Sequence, residues 1–228
     1  MHPTATRRRQ AEAEPRPRRR SSVKHAAILD AATVLVARLG YFGTTIEGIA
    51  ALAGVGKQTI YRWWPSKSVL FIEVYNSLVP RSEFDIDTGN LVADLNEHLQ
   101  RLFQIYRNTP SALILGGLHA DALHDPDVAE TVLSDLRPGR RPLLNRHFEL
   151  ALQRGELPPD FDMEWAVELI VALIGHRMIG DSQNLTDAFA ERLVKTALEV
   201  GRSPRIGAVA RPVENLKAVQ GRRKPSTR

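Results

Sequence analysis

Apolar residues recur along the chain at intervals of three and four, which is the spacing of helices that bury one face. This pattern predicts an all-α protein of about nine helices, without a convincing strand. The predicted helices cover residues 22–39, 44–53, 57–64, 67–79, 91–107, 111–124, 125–154, 163–179 and 186–200. The seventh of these is long and contains Pro138-Gly139, where a break is expected.

A proline and a polar run divide these helices into two units. Pro80 and residues 81–89 separate a first unit, residues 23–80, from a larger second unit, residues 81–201. The helix predicted for residues 67–79 ends at this boundary and therefore links the two units. We expect each unit to bury its own apolar faces.

The most informative stretch, TTIEGIAALAGVGKQTIYRWWPSK, runs from Thr44 to Lys67. It predicts a short helix, a glycine turn and a second short helix. Thr44 is predicted to cap the first helix, because Glu47 follows at the spacing of a capping box. Gly54 suits a left-handed turn, and Pro65 ends the second helix at the preceding residue. Helices this short are marginal alone, so the rest of the unit must hold them at a fixed angle.

The pattern T-I-x-x-I-A-x-x-A-G-V-G-x-x-T-I-Y-R-W-W-x-x-K-x-x-L, from Thr45 to Leu70, resembles the N-terminal signature of the TetR family of transcriptional regulators. The match covers some twenty-five consecutive positions without a gap, and Trp63-Trp64 stands where many members carry Tyr-Phe or His-Phe. The resemblance implies a three-helix, helix-turn-helix DNA-binding domain followed by a helical domain that binds an effector and dimerises. The alternative is an ordinary helical hairpin with a solvated face.

In a helix-turn-helix, the second helix lies in the major groove and its N-terminal residues reach base edges. Residues 57–59 are therefore predicted to read bases, while residues 61–63 and Lys67 are predicted to hold phosphates. The positions predicted to contact DNA are Thr44, Thr45, Gly56, Lys57, Gln58, Thr59, Tyr61, Arg62, Trp63 and Lys67.

The helix predicted for residues 163–179 is apolar on more than one face, so it must be covered on both sides. With the last helix it is predicted to form half of a four-helix dimer bundle, as the resemblance also implies. The predicted interface residues are Trp165, Leu169, Leu173, Phe189, Leu193 and Ala197. The alternative is a central helix inside a monomer.

The resemblance also implies a ligand pocket in the second unit. The candidate lining residues are Phe71, Tyr75, Phe103, Tyr106, Leu113, His119, Phe148, Trp165 and His176, although each also suits a plain core position. His119, Asp121, His124 and Asp125 superficially resemble a metal set. We do not expect a metal there, because His119 and His124 are five residues apart and do not share a helical face.

Charge is segregated along the chain. The basic ends, residues 1–22 and 202–228, bury too little apolar surface to offset their ordering entropy, so both are predicted to be disordered. Residues 1–24 hold eight Arg or Lys against two Glu, and residues 202–228 hold eight against one. The net charge of the whole chain is +5, so residues 81–201 are left strongly acidic. Such a molecule would present its basic end to a polyanion.

Composition excludes several other classes. The chain contains no cysteine, which excludes disulfides and thiolate catalysis, and it lacks G-x-S-x-G and P-loop motifs. No apolar run approaches the roughly 18–20 residues of a membrane span. We therefore expect a cytoplasmic protein that is not an enzyme and needs no cofactor.

Together these patterns predict a ligand-responsive repressor that binds a palindromic operator as a homodimer. Its expected partners are double-stranded operator DNA, an unknown small-molecule effector and a second copy of the chain. The alternative is a non-regulatory DNA-binding protein with an architectural or recombination-related role, which would bind without sequence preference and bend DNA.

Overall fold

A computed structural model describes residues 17–132 and 137–202, and within these ranges the chain forms ten α-helices and no strand. The all-α prediction is confirmed. The helices are α1 (Pro17–Gly43), α2 (Ile46–Leu52), α3 (Lys57–Trp63), α4 (Lys67–Leu78), α5 (Leu91–Asn108), α6 (Ser111–Ala122), α7 (Pro126–Thr131), α8 (Arg137–Arg154), α9 (Met163–Gly180) and α10 (Asp187–Gly201). Two short 3-10 helices cover Arg81–Phe84 and Ser182–Asn184.

The first helix begins earlier than its pattern predicts. Residues 17–22, which belong to the predicted disordered arm, are helical, while the remainder of both predicted tails lies outside the described residues. The helix bends at Gly40, the predicted stop, and adds one more turn. Val34 and Leu39 are apolar but exposed, so they do not contribute to the buried stripe of this helix. The buried stripe instead follows the i, i+4 row through residues 28, 32 and 36.

The described residues of the predicted helix 125–154 form α7 and α8. Pro138 and Gly139, where the sequence predicts a break, lie in the first turn of α8. Proline is tolerated there because the first N–H groups of a helix have no intrahelical acceptor. Asp125 caps α7 through its side chain, as the sequence predicts.

The expectation that no segment is long and apolar enough to span a membrane is wrong for one helix, judged by length and composition alone. The part of α1 from Ser22 to Gly43 is long and apolar enough to cross a membrane by those criteria alone, with a mean hydropathy of 1.4 over an 18-residue window. Ile28, Ala32 and Val36 on its inner face are buried in the core of the first unit.

The two helical units are joined where α6 packs against α1 and α4. The ring of Tyr41 lies directly on the backbone of Gly117, so closely that a Cβ atom at Gly117 would fall 2.1 Å from the Tyr41 Cγ atom. The Tyr41 hydroxyl donates a hydrogen bond of 2.6 Å to the Asp121 carboxylate. Burial, followed by this contact with a carboxylate, raises the pKa of Tyr41. We call Tyr41, Gly117 and Asp121 the interdomain joint.

Neighbouring glycines of α6 offer a matched test of this joint. We expect Gly117→Ala to lower the free energy of unfolding by about 1–3 kcal/mol, because the new methyl group overlaps the Tyr41 ring and one element must move. Urea denaturation measures the change.

The control is Gly116→Ala, since nothing lies within 4 Å of the Cβ atom it would add. That substitution should leave stability unchanged or raise it by up to about 1 kcal/mol, because alanine favours a helix. Equal effects of the two variants would contradict the close packing of Tyr41 on Gly117.

Candidate nucleic-acid interface

Helix α2 is capped by Thr45, whose Oγ1 accepts a hydrogen bond of 3.1 Å from the Gly48 N–H. The cap predicted at Thr44 is therefore wrong by one residue. Thr44 is buried and donates its hydroxyl hydrogen to the Gly40 carbonyl oxygen, 2.8 Å away. Its side chain does not reach the surface, whereas that of Thr45 is exposed beside the N-terminus of α2.

The turn between α2 and α3 has the predicted geometry. Gly54 has a φ of +65°, in the left-handed region that side chains with a Cβ atom rarely adopt. Val55 is partly buried against the core, and its N–H donates to the Ala50 carbonyl oxygen at 3.0 Å. The exposed Gly56 then caps α3 without a side-chain hydrogen bond. This turn fixes the direction in which α3 leaves α2.

Helix α3 has one buried and one exposed face. Ile60 is fully buried and anchors the helix to the core. Lys57 and Gln58 in the first turn, and Tyr61 and Arg62 in the second, are exposed. Thr59 and Trp63 lie partly buried at the edges of this face. Of the six α3 residues predicted to contact DNA, four are therefore exposed and two lie at the edges of the exposed face.

Lys57 forms an ion pair with Glu47 of α2, with 2.8 Å between its Nζ and the Glu47 Oε1 atom. The pair raises the pKa of Lys57 and lowers that of Glu47 through their hydrogen bond. Both side chains are more than half exposed, so the contact is weak and screened by salt. Glu47 thus serves as a partner across the turn instead of completing a capping box.

The adjacent tryptophans have different environments. Trp64 is buried, and its indole N–H donates to Glu73 of α4 at 2.6 Å. The Trp63 ring packs against His25 of α1, with 5.4 Å between ring centroids, and the Arg62 guanidinium carbon lies 5.5 Å from the centroid of the Trp63 ring. Trp63 therefore positions Arg62, and a direct phosphate contact by the indole is less suited to this placement. His25 and Glu73 carried no sequence signal, because their partners are distant along the chain.

Lys67 points into the protein. Its Nζ donates to the Tyr41 carbonyl oxygen at 2.6 Å and lies 4.3 Å from the centroid of the Tyr41 ring. Burial lowers the pKa of Lys67, with the nearby Asp121 carboxylate acting in the opposite direction. The phosphate contact predicted for Lys67 does not match this placement, because its ammonium group is engaged in the interdomain joint.

The predicted pocket residues separate into two groups. Five are buried: Phe71, Tyr75, Phe103, Tyr106 and Phe148. The hydroxyl groups of Tyr75 and Tyr106 share a hydrogen bond of 2.7 Å inside this core. The other four, Leu113, His119, Trp165 and His176, are exposed and do not line the interior. Their helices are apolar on several faces, so periodicity could not show which face is covered. Across the described residues, no group of three or more His, Asp or Glu is placed to hold a metal ion.

The residues predicted for the dimer interface also separate into two groups. Trp165 and Leu173 of α9 are exposed, and Leu169 and Phe189 are partly exposed. Leu193 and Ala197 of α10 are buried within the chain itself, where α10 packs against α5 and α9. Those two residues are therefore covered by their own chain and are unavailable to a partner.

Comparison with known proteins identifies this arrangement. The family model described as bacterial regulatory proteins, tetR family, matches residues 28–74, and the model described as tetracyclin repressor-like, C-terminal domain, matches residues 85–197. The chain is 30% identical over 185 residues to the DNA-binding transcriptional repressor TetR of Mycobacteroides abscessus, an alignment that covers 79% of this chain and 95% of that protein. It is 29% identical over 184 residues to the HTH-type transcriptional regulator YdeS of Bacillus subtilis, covering 81% and 92%.

A solved structure agrees with these sequence matches. The crystal structure of the TetR family transcription regulator SCO0332 is 31% identical and has a TM-score of 0.65, covering 79% of this chain and 99% of that chain. An exposed second helix of a helix-turn-helix, followed by a helical domain, defines a DNA-binding transcriptional regulator. The chain belongs to the TetR family of transcriptional regulators. The family and these relatives are regulators, not enzymes.

Replacing Lys67 separates the two roles considered for it. We expect Lys67→Met to lower the free energy of unfolding by about 1–2 kcal/mol, because a charged donor to the Tyr41 carbonyl oxygen is lost. The slope of DNA affinity against salt concentration should not change, because no phosphate contact is removed. Urea denaturation and binding titrations at several salt concentrations measure both quantities. A shallower salt slope with unchanged stability would instead support the phosphate role.

Proposed function

We propose that the protein is a ligand-responsive repressor that binds a palindromic operator as a homodimer. The observation that carries this proposal is the exposed face of α3, where Lys57, Gln58 and Arg62 project from a helix anchored by the buried Ile60. The printed name of the Mycobacteroides abscessus relative, a DNA-binding transcriptional repressor, supports the same activity for this chain.

We assign the contacts with base edges to the first turn of α3. The amide of Gln58 is exposed and can pair with the N6 and N7 atoms of adenine, whereas Lys57 suits the O6 and N7 acceptors of guanine. The ion pair with Glu47 holds the ammonium group of Lys57 on the α2 side of this turn. Thr59 lies at the edge of the same face and completes the predicted set.

Phosphate contacts flank this reading face. Thr45 and Gly56 lie at the N-terminal ends of α2 and α3, where free backbone N–H groups favour an anion. Tyr61 and Arg62 extend from the second turn of α3, and Trp63 supports the guanidinium group of Arg62. These groups position the helix but carry no sequence information themselves.

A second copy of the chain covers the exposed apolar face of α9. Trp165 and Leu173 are large apolar side chains that remain exposed on one face of α9 in a single chain, with the partly exposed Leu169 between them. Burying them between two α9 helices, with Phe189 of α10 at the edge, pairs two reading helices around a two-fold axis. A two-fold dimer reads a palindrome, because each half-site receives the same helix.

Effector binding in the second unit would act on DNA through the interdomain joint. The joint connects α6 to α1 through Tyr41, and Lys67 ties the N-terminus of α4 to the same tyrosine. A shift of α6 or α4 would therefore change the separation of the two α3 helices. An effector releases the operator only if it binds the two separations with different affinities. The protein would act in the cytoplasm on a small-molecule signal.

The reading role of α3 is tested with a duplex selected from random DNA by the wild-type protein. We expect Gln58→Ala to weaken binding to the selected duplex by about tenfold to a hundredfold, because one bidentate base contact is worth about 1–3 kcal/mol. Binding to unrelated DNA should hardly change. Fluorescence anisotropy at fixed salt concentration measures both affinities.

The control for Gln58 is an exposed position on another part of the molecule, Gln153→Ala, which should retain wild-type affinity. Retention of full affinity by Gln58→Ala would contradict the reading role. Selection that recovers no preferred sequence, together with bending of bound DNA, would favour the architectural alternative.

The dimer is tested at the exposed face of α9. We expect Leu173→Glu to convert the dimer into a monomer at micromolar concentration, because a buried unpaired carboxylate opposes association. Multi-angle light scattering measures the mass. Leu123→Glu, at a leucine that is 83% exposed after α6, is the control and should remain dimeric. A monomeric wild-type protein would exclude the proposed interface.

A further inference from the structure

A cluster of buried polar side chains lies in the second unit, away from the α3 face. Asp94 and His98 of α5 and His147 of α8 are buried. The Nδ1 atom of His98 and the Nε2 atom of His147 are 3.0 Å apart and share a hydrogen bond. The Nδ1 atom of His147 is also buried and has no hydrogen-bond partner among the described residues. A buried polar atom without a hydrogen-bond partner lowers the stability of a fold, so its presence needs a physical explanation.

The segment between α4 and α5, residues 81–90, covers this histidine pair, and we call it the strap. The ring of Phe84 lies against His98, with 4.6 Å between centroids. Farther along the strap, the backbone N–H and the hydroxyl of Thr88 donate to Asp94 Oδ1 at 2.7 and 2.6 Å. The strap therefore rests on the buried cluster at two points.

Two arginines of α8 hold the outer side of the strap. Arg146 pairs with Asp85, and Arg154 pairs with Asp87 at 2.9 Å. Arg154 also lies 3.5 Å from the buried carboxylate of Asp94. The strap lies between α4 and α5 in the chain, so its contacts with α5 and α8 help to fix the position at which α4 joins the second unit.

A proton is poorly tolerated on His147. Burial lowers the pKa of His147, and the charges of Arg146 and Arg154 act in the same direction. The carboxylates of Asp94 and Asp87 oppose this effect without reversing it. The shared hydrogen bond needs a lone pair on one of its two nitrogens, so full protonation of both rings would remove the bond and place two cations side by side.

We propose that the His98–His147 pair is an acid-sensitive contact that holds α5, α8 and the strap together, and that its protonation loosens the strap and releases the operator. The second half rests on the proposed function. The direction follows from proton linkage. Folded His147 binds a proton less readily than an exposed histidine does, so the contact is at full strength above the ordinary pKa of histidine, 6.5, and weakens as the pH falls below it.

Hydrogen exchange of backbone amides tests the contact without any DNA. Protection factors in α5, α8 and the strap are compared for the full-length wild-type protein, His147→Gln and His124→Gln, from about pH 8 to about pH 5.5. In the wild type we expect protection to fall by up to about tenfold per pH unit below about pH 6.5, because the open state takes up one proton.

The variants decide which histidine is responsible. Glutamine at residue 147 keeps a hydrogen-bonding group toward His98 but does not titrate, so protection in His147→Gln should depend less on pH over this range than protection in the wild type. His124 is exposed, so His124→Gln should behave as the wild type. A pH-independent wild type, or an unchanged pH dependence in His147→Gln, would overturn the proposal. Should His147→Gln not fold, as judged by circular dichroism, His98→Gln removes the other ring and carries the same expectation.

Operator release is measured separately on the selected duplex. We expect the wild type to lose at least about tenfold in affinity between about pH 7.5 and about pH 5.5, with a smaller loss in His147→Gln. An equal loss in both proteins would overturn the proposed release even if exchange behaves as expected. A protein that binds no duplex at about pH 8 would contradict the proposed function instead, while the exchange result would still decide whether the contact is acid-sensitive.

Discussion

The arrangement of the two helical units depends on the packing of one aromatic ring on one glycine. The Tyr41 ring fills the space over Gly117 that any side chain would occupy, and its hydroxyl is bound to Asp121 of the same helix. The Tyr41 carbonyl oxygen accepts a hydrogen bond from the Lys67 ammonium group, so a single residue of α1 contacts both α4 and α6. Because close packing allows few intermediate positions, α6 cannot shift without displacing Tyr41 or losing these contacts.

The exposed face of α3 is organised by what is buried beneath it. Ile60 anchors the middle of α3 and Trp64 its C-terminal end, and the indole N–H of Trp64 donates a hydrogen bond to Glu73 of α4. With one face committed to the core, the remaining residues of this short helix have only one direction in which to point. The side chains of Lys57 and Arg62 are held in different ways: Lys57 forms an exposed ion pair with Glu47, whereas the guanidinium group of Arg62 lies against the Trp63 ring.

Local signals predicted most helix boundaries well. Capping residues, turn glycines and the helical period depend only on neighbours along the chain, and the caps at Ser66, Asp125, Asp162 and Thr186 are all formed by side chains. The errors arose where two choices were locally equivalent. Thr44 and Thr45 both suit an N-cap position. The hydroxyl of Thr44 is hydrogen-bonded to the Gly40 carbonyl oxygen, so Thr45 is the residue that caps the helix.

The sequence by itself determined the all-α class, the helix-turn-helix and the family, because these follow from periodicity and a continuous motif. Only the tertiary structure decided which apolar faces are covered: Leu193 and Ala197 are buried in their own chain, while Trp165 remains exposed. It also decided the partners of charged and polar groups, such as Lys67 with Tyr41 and His98 with His147. Those partners lie 26 and 49 residues apart, and a pattern of nearest neighbours carries no information about contacts that folding alone brings together.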